Sequence, residues 1–237
     1  VSFAGFGTLI DRDRGLATAL ARVTRAADPQ RLEAFADAFE PAEAARIAEL
    51  EEFAGYEALL RNALRDAGGE AGMSLDDAAL EQLVASITDW PLYEDARRGL
   101  PRLAERFRLA VVTQLDGDVA ERLLAPLGVT LDVIVGADRV GCFRPEPDHL
   151  MALVHELELD EDQLLLVGAD PDLDLHTAAG LGIPTAYLDR FGMHLPEEVE
   201  PTITVSDLDQ LADRLVHGRT AFKPRPPQGR ADDGDSG

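Results

Sequence analysis

Two periodicities divide the chain. After an opening apolar run, Val1-Ser2-Phe3, that breaks at Gly5 and Gly7 and resumes at Thr8-Leu9-Ile10, apolar residues up to about Trp90 recur at the three- and four-residue spacing of helices. Leu32, Phe35 and Phe39 share one face behind Asp28-Pro29, which reads as an N-cap followed by proline at the first helical position. Tyr56, Leu59, Leu60 and Leu64 continue the period to a predicted stop at Gly68-Gly69. Leu80, Leu83, Val84 and Ile87 carry a further helix predicted to start at Ser74, with Asp77 completing a weak capping box. From Pro91 the pattern changes to short apolar runs alternating with amphipathic stretches. Strands are predicted at residues 109–113, 131–135, 164–168, 185–188 and 203–205, and helices at 94–106, 118–127, 147–157, 174–181 and 207–216. Apolar runs without alternation fit a parallel sheet covered on both faces. The predicted architecture is α/β, a doubly wound parallel-sheet core formed by residues 1–11 and 91–218, with an inserted α-helical cap at 12–90. Residues 219–237, rich in Pro, Gly and Asp with no apolar period, predict a disordered tail.

Composition adds exclusions. A 46% hydrophobic content is ample for a core, and the formal charge of -23 is spread along the chain. Nucleic acid and anionic membranes need a basic surface, so neither is an expected partner. Cys142 is the only cysteine, which rules out an intrachain disulfide or a thiolate metal cluster; it is expected to be a small buried hydrophobe. No apolar run approaches the ~18 residues of a membrane span and the N-terminal stretch lacks signal-peptide character, so a cytoplasmic protein is expected.

In doubly wound sheets ligands bind beyond the carboxyl ends of the strands. Four such places carry polar or glycine-rich chemistry. The first is Phe3-Ala4-Gly5-Phe6-Gly7-Thr8-Leu9, a strand breaking into a loop whose backbone can close round a small anion. The second is Thr113-Gln114 at a strand end, before a helix predicted to be capped by Asp118. The third is Gly141-Cys142-Phe143-Arg144-Pro145-Glu146-Pro147, where Arg144 can bind an oxyanion in bidentate fashion. The fourth is Val167-Gly168-Ala169-Asp170-Pro171-Asp172-Leu173-Asp174, leading on to Ala178, Gly182, Thr185 and Arg190.

In this order the four segments resemble the four motifs of the haloacid dehalogenase (HAD) superfamily, whose first motif is commonly written FD-x-[DFY]-GTL. The helical insertion is similar to the cap of its 2-haloacid dehalogenase-like branch. The resemblance implies a Rossmann-like HAD core and, for the family, an aspartate nucleophile that forms a covalent intermediate. Ala4 fills that position. Phe6 stands where phosphatase members carry a general acid and base, as in the dehalogenase branch, which needs no Mg²⁺. By the same resemblance Thr8 orients the loop, Thr113 with Gln114 beside it meets the bound anion, Arg144 replaces a lysine, and Asp174 holds Arg144. Ala169 takes the place of a metal-binding acid, so although Asp170 and Asp172 carry oxygens, no Mg²⁺ or other cofactor is expected; helix capping is their expected use. A cap arginine receives the substrate in this branch, and Arg22, Arg25 and Arg31 are the candidates.

A methyl group cannot attack carbon or phosphorus, and Ser2, Asp11 and Asp13 are no evident substitutes. The expected protein is a dehalogenase-like hydrolase scaffold without its nucleophile, inactive in ordinary hydrolysis and retaining a pocket for a small carboxylate or phosphate built from Gly5, Phe6, Gly7, Thr113, Gln114 and Arg144. Three alternatives stay open: a substrate-trapping Asp-to-Ala variant, a regulatory anion-binding module, and a non-hydrolytic enzyme recruiting His149, His155, His176 or His194, each otherwise a surface histidine. A homodimer is also left open.

Overall fold

The computed structural model describes residues 1–24 and 28–218. The chain opens with β1 (Ser2–Ala4) and then runs through four helices, α1 (Arg12–Thr24), α2 (Pro29–Ala48), α3 (Tyr56–Glu70) and α4 (Asp77–Ala85), before α5 (Glu94–Ala104) returns it to β2 (Ala110–Val112). There follow α6 (Gly117–Leu124), β3 (Val133–Val135), α7 (Ala137–Val140), α8 (Asp148–Leu157), β4 (Leu166–Gly168), a π-helical turn (Pro171–His176), α9 (Thr177–Gly180), β5 (Thr185–Leu188), β6 (Ile203–Val205) and α10 (Leu208–Val216). All strand pairs are parallel, in the order β3-β2-β1-β4-β5-β6.

The near-continuous apolar strands follow from burial on both faces, because alternate side chains of a strand point to opposite sides. Phe3, Val111 and Val167 enter one core with α5, α6, α10 and the helical insertion, whereas Ala110, Val112 and Leu166 enter the other with α8 and α9. β1 lies between β2 and β4, with Phe3 opposite both Val111 and Val167. The chain winds outward from β1 in both directions, so the loops after β1 and β4 diverge there and leave a crevice at the strand ends.

The insertion shares the first of these cores. Phe35 and Phe39 stack at 6.3 Å, and they join Tyr56, Leu60, Leu64, Leu80 and Leu83 in a cluster continuous with Leu9, Ile10, Trp90 and Leu92 at the base of the insertion. Arg46 on α2 grips Asp66 on α3 in bidentate fashion, at 2.6 and 3.0 Å. Among the described residues no helix is long and apolar enough to cross a membrane.

Several boundaries depart from expectation. α3 runs through Gly68-Gly69 to Glu70, because the chain doubles back against Gly68: a Cβ there would lie 3.2 Å from the Met73 carbonyl oxygen. α4 is capped by Asp76, which accepts from the Ala79 amide at 2.8 Å, and starts at Asp77 rather than Ser74. Asp118 lies within the first turn of α6; the cap position is Asp116, and the Gly117 amide donates to Asp138 across the sheet end at 2.8 Å. The predicted helix at 174–181 is replaced by the π-helical turn and short α9, because Asp170 caps early, accepting from the Asp172 and Leu173 amides. Asp28 and Pro29 start α2 as expected. The predicted tail and Arg25 lie outside the described residues.

Gly15 in α1 packs on Trp90: a Cβ would sit 2.4 Å from the indole. Alanine would gain roughly 0.5–1 kcal/mol in helix propensity, but overpacking a buried contact costs about 1–3 kcal/mol. Gly15→Ala is therefore expected to lower the denaturant midpoint at unchanged slope, measured by urea unfolding.

Candidate active site at the strand ends

The crevice is built from the loop after β1. Ala4 is fully buried at the end of that strand, paired with Val112. Gly5 is required by close approach, since a Cβ there would lie 2.6 Å from Thr113 Oγ1, and Gly7 has φ +71°, a left-handed conformation that glycine adopts without strain. The Thr8 hydroxyl accepts from the Ala169 amide at 3.1 Å, tying the loops after β1 and β4 together.

Beyond β2, Gln114 makes a reciprocal pair with the Arg144 backbone: its Oε1 accepts from the Arg144 amide at 2.8 Å and its Nε2 donates to the Arg144 carbonyl at 3.3 Å. That fixes the start of the Arg144 side chain. Its Nη2 donates to the Leu173 carbonyl at 2.8 Å and to the Asp174 carboxylate, whose second oxygen accepts from the Asp170 amide at 3.1 Å. The expected Arg144–Asp174 pair is thus formed, and both members are buried. Burial pushes the Asp174 carboxyl up, against the pull of Arg144. Nε and Nη1 of Arg144 have no acceptor among the described residues.

The insertion closes the other side with groups that the sequence reading missed. Arg12 donates to Glu43 at 2.7 Å, and Glu43 accepts from the Tyr56 hydroxyl at 2.7 Å. Burial opposes the Arg12 charge, but Glu43, Tyr56 and Asp13 outweigh it and raise its pKa. Phe6 projects from the β1 loop into this region, its ring 5.5 Å from Tyr56 and 5.7 Å from Trp90, with the Arg12 guanidinium 5.4 Å away. Arg190 stacks on Tyr93 at 3.8 Å and donates to the Gly7 and Thr8 carbonyls and to Asp95. A signal for Glu43 was present in the sequence, because it continues the Phe35, Phe39 stripe at four-residue spacing.

Between these walls lies a cavity of about 210 Å³ whose lining includes Phe6, Gly7, Arg12, Gln114, Arg144, Ala169 and Asp174. A larger open groove of about 670 Å³ runs along α1 and α5 and contains Arg22, but it lacks Arg144 and Asp174. The strand ends converge on the smaller cavity, which is therefore the candidate site. Ala4, Gly5, Thr8 and Thr113 are buried and do not line it; Gly5, Thr8 and Thr113 adjoin the lining residues Phe6, Gly7 and Gln114 in the chain.

Four expectations are corrected. The amides of Gly5 and Gly7 are spent on the Val112 and Ile10 carbonyls, and that of Thr113 on Val135, so the loop is no open cradle; among the described residues the amides of Phe6 and Gln114 donate to no protein acceptor. Arg22 lies in the outer groove and Arg31 donates to the Gly72 carbonyl at 3.1 Å, so Arg12 is the insertion arginine at the cavity. Cys142 is half-buried, with its thiol pushed up by partial burial. His149 is fully buried on the apolar face of α8 with Leu150, Leu153 and Leu157, where the spacing of the sequence could have placed it. The Glu146 and Thr113 backbones approach its ring, yet among the described residues neither ring nitrogen has a hydrogen-bond partner, and burial followed by the Arg144 charge lowers its pKa to about 4.

Magnesium does not fit this donor set. Ala4 and Ala169 present methyl groups, Asp174 is occupied by Arg144 and the Asp170 amide, and Asp170 Oδ1 accepts from two amides.

Fold and site together define a doubly wound α/β protein with a helical insertion after its first strand and a buried arginine–aspartate pair at the switch point. The family profile described as haloacid dehalogenase-like hydrolase matches residues 7–188, and the chain belongs to that family. It is 32% identical over 127 residues to a phosphoglycolate phosphatase of Rhodospirillum rubrum, a match covering 50% of this chain and 52% of that one. To a plasmid phosphoglycolate phosphatase of Cupriavidus necator it is 34% identical over 104 residues, 43% and 44% of the two chains. The matched stretches thus span about half of these relatives' lengths. Among solved structures, the L-2-haloacid dehalogenase of Xanthobacter autotrophicus superposes with a TM-score of 0.79 at 21% identity, covering 91% of this chain and 97% of that one. A defluorinating L-2-haloacid dehalogenase gives 0.76 at 24% identity, covering 91% and 94%. These two likenesses are of fold.

Two measurements check the site's energetics. Asp174→Ala leaves the buried Arg144 guanidinium with only a carbonyl, and truncating one member of a buried pair costs about 3–5 kcal/mol, read as a large fall in unfolding midpoint. His149 is neutral in the fold while its unfolded counterpart protonates near pH 6.5, so stability is lost as pH falls from 6.5 towards about 4. The full loss is roughly 3 kcal/mol. His149→Leu is expected to remove that component from the pH dependence of unfolding; an unchanged curve would contradict it.

Proposed function

We propose that this chain, with alanine at position 4, does not perform aspartyl-nucleophile hydrolysis and instead holds a small organic anion at the strand ends beneath its helical cap, residues 12–90. The observation that carries the reading is the buried methyl of Ala4, in the position of the first motif's nucleophile, with both strand-end carboxylates, Asp170 and Asp174, otherwise engaged. Asp174 is held by Arg144, Asp170 is a helix cap, and Glu43 is fixed between Arg12 and Tyr56. None of His149, His155, His176 and His194 lines the cavity, which disfavours acid-base chemistry recruited from histidine.

The donors for an anion are the unused guanidinium nitrogens of Arg144 and the free amides of Phe6 and Gln114. Arginine's planar fork suits a carboxylate or phosphate edge-on. Thr8 and Thr113 act behind this surface, holding the loops at their spacing. The names of the relatives, phosphoglycolate phosphatase and 2-haloacid dehalogenase, agree with a small acidic ligand.

The test is turnover of 2-chloropropionate and phosphoglycolate by the chain as it stands and by Ala4→Asp. The unaltered protein is expected to show none above background. Aspartate is expected to raise kcat on one of them by on the order of 10⁴- to 10⁶-fold, the range lost when catalytic residues are removed elsewhere. Equal rates for the two proteins would sink the proposal of a missing nucleophile.

A further inference from the structure

We infer that the cavity takes an organic acid with one negative charge and an apolar, aryl-sized body, its head on Arg144 and its body against Phe191 and Met193. This rests on the anion-binding reading above and names the class of ligand.

Exposed apolar surface gathers at the cavity mouth. Among the described residues only Leu50, Met151, Phe191 and Met193 are large hydrophobics left exposed, and the last two, 51% and 40% accessible, both line the candidate cavity. Their segment is anchored at both ends. Arg190 grips the Gly7 and Thr8 carbonyls and Asp95, the Tyr187 hydroxyl donates to the Met193 carbonyl at 3.0 Å, and the Gly192 amide donates to Asp189 at 3.0 Å. The Phe191 ring lies over Gly7, where a Cβ would approach it to 3.3 Å. An apolar lip held in place over a cavity is a surface for a ligand to cover.

The cavity's charge selects among anions. The lining carries two arginines, Arg12 and Arg144, against five acids, Asp13, Glu40, Glu43, Asp170 and Asp174. Each arginine has an acid of its own, Glu43 and Asp174 respectively, which leaves Asp13, Glu40 and Asp170 in excess. That excess repels a dianion more than a monoanion. Much of the attraction must then come from apolar contact, which Phe6, Tyr93, Leu173, Phe191 and Met193 supply.

An apolar cavity of about 150 Å³ holds benzene, so about 210 Å³ admits one ring with a carboxyl head.

Calorimetry at pH 7.5 with acetate, phenylacetate and phenyl phosphate tests this, on the unaltered protein and on Phe191→Ala and Arg144→Ala. Phenylacetate is expected to bind at least tenfold more tightly than acetate and more tightly than the dianionic phenyl phosphate. Phe191→Ala, a change at an exposed position, should shrink the phenylacetate-to-acetate ratio below threefold, and Arg144→Ala should weaken both acids. Equal, Arg144-dependent binding of the two acids would overturn the apolar body and leave the anion reading standing. Phenylacetate binding that ignores Arg144→Ala would overturn the head-group assignment and the anion reading with it, and so would the absence of binding by all three ligands.

Discussion

A guanidinium leaves water only where a carboxylate and further acceptors meet it, and the site depends on how Arg144 satisfies that requirement. Asp174 and the Leu173 carbonyl take one of its nitrogens, while Gln114 fixes its backbone from the neighbouring strand end. Such a pair is poor evidence of net stabilisation, because desolvation consumes most of the Coulombic gain. Its effect is positional. Gly168 shows how tightly the pair is packed, since a Cβ there would lie 2.4 Å from that of Asp174. Once Arg144 and Asp174 are locked, the loops after β2, β3 and β4 share one geometry, and Thr8 joins the β1 loop to it through the Ala169 amide.

The cap side is organised differently. Phe6 sends a ring from the β1 loop to meet Tyr56 and Trp90, and Arg12, Glu43 and Tyr56 form a buried polar chain beside it. The insertion is thus bound to the β1 loop by aromatic packing, and the candidate cavity has one ion-paired wall on each side. By the family resemblance phosphatase chemistry would use acids at positions 4, 6 and 169; here Phe6 and Ala169 line the crevice with apolar groups, and Ala4 is buried. The exposed Phe191 and Met193 extend that character to the mouth.

Much of the fold was legible because parallel strands buried on both faces leave uninterrupted apolar runs. The strands at 185–188 and 203–205 were placed to the residue. Errors gathered where local chemistry competes with period. Gly68-Gly69 read as a stop, yet α3 continues because the returning chain needs the missing side chain there; Ser74 and Asp118 were capping residues by type, but Asp76 caps α4 and Asp116 holds the cap position of α6. The Arg144–Asp174 pairing was also expected, from the resemblance of these segments to the family's motifs. Arg12 and Glu43 were missed, and the burial of His149 was misjudged, because a charged or polar residue on an apolar stripe looks like a surface residue until its neighbours are known. The glycine loop misled in the opposite sense: its flexibility suggested a cradle, whereas the Gly5 and Gly7 amides are consumed by Val112 and Ile10.

By itself the sequence determined the doubly wound sheet, the helical insertion after the first strand, the four strand-end segments and the methyl at position 4, because periodicity and residue identity are local properties. Tertiary structure decided which arginine faces the cavity, which amides remain free, that His149 is buried in the apolar face of α8, and that Phe191 and Met193 stand at the mouth. Those depend on distances between segments far apart in the chain: position 190 meets Gly7, and Glu43 meets Arg12. No spacing along the sequence encodes such contacts, since they arise only when the sheet brings the strand ends together beneath the insertion.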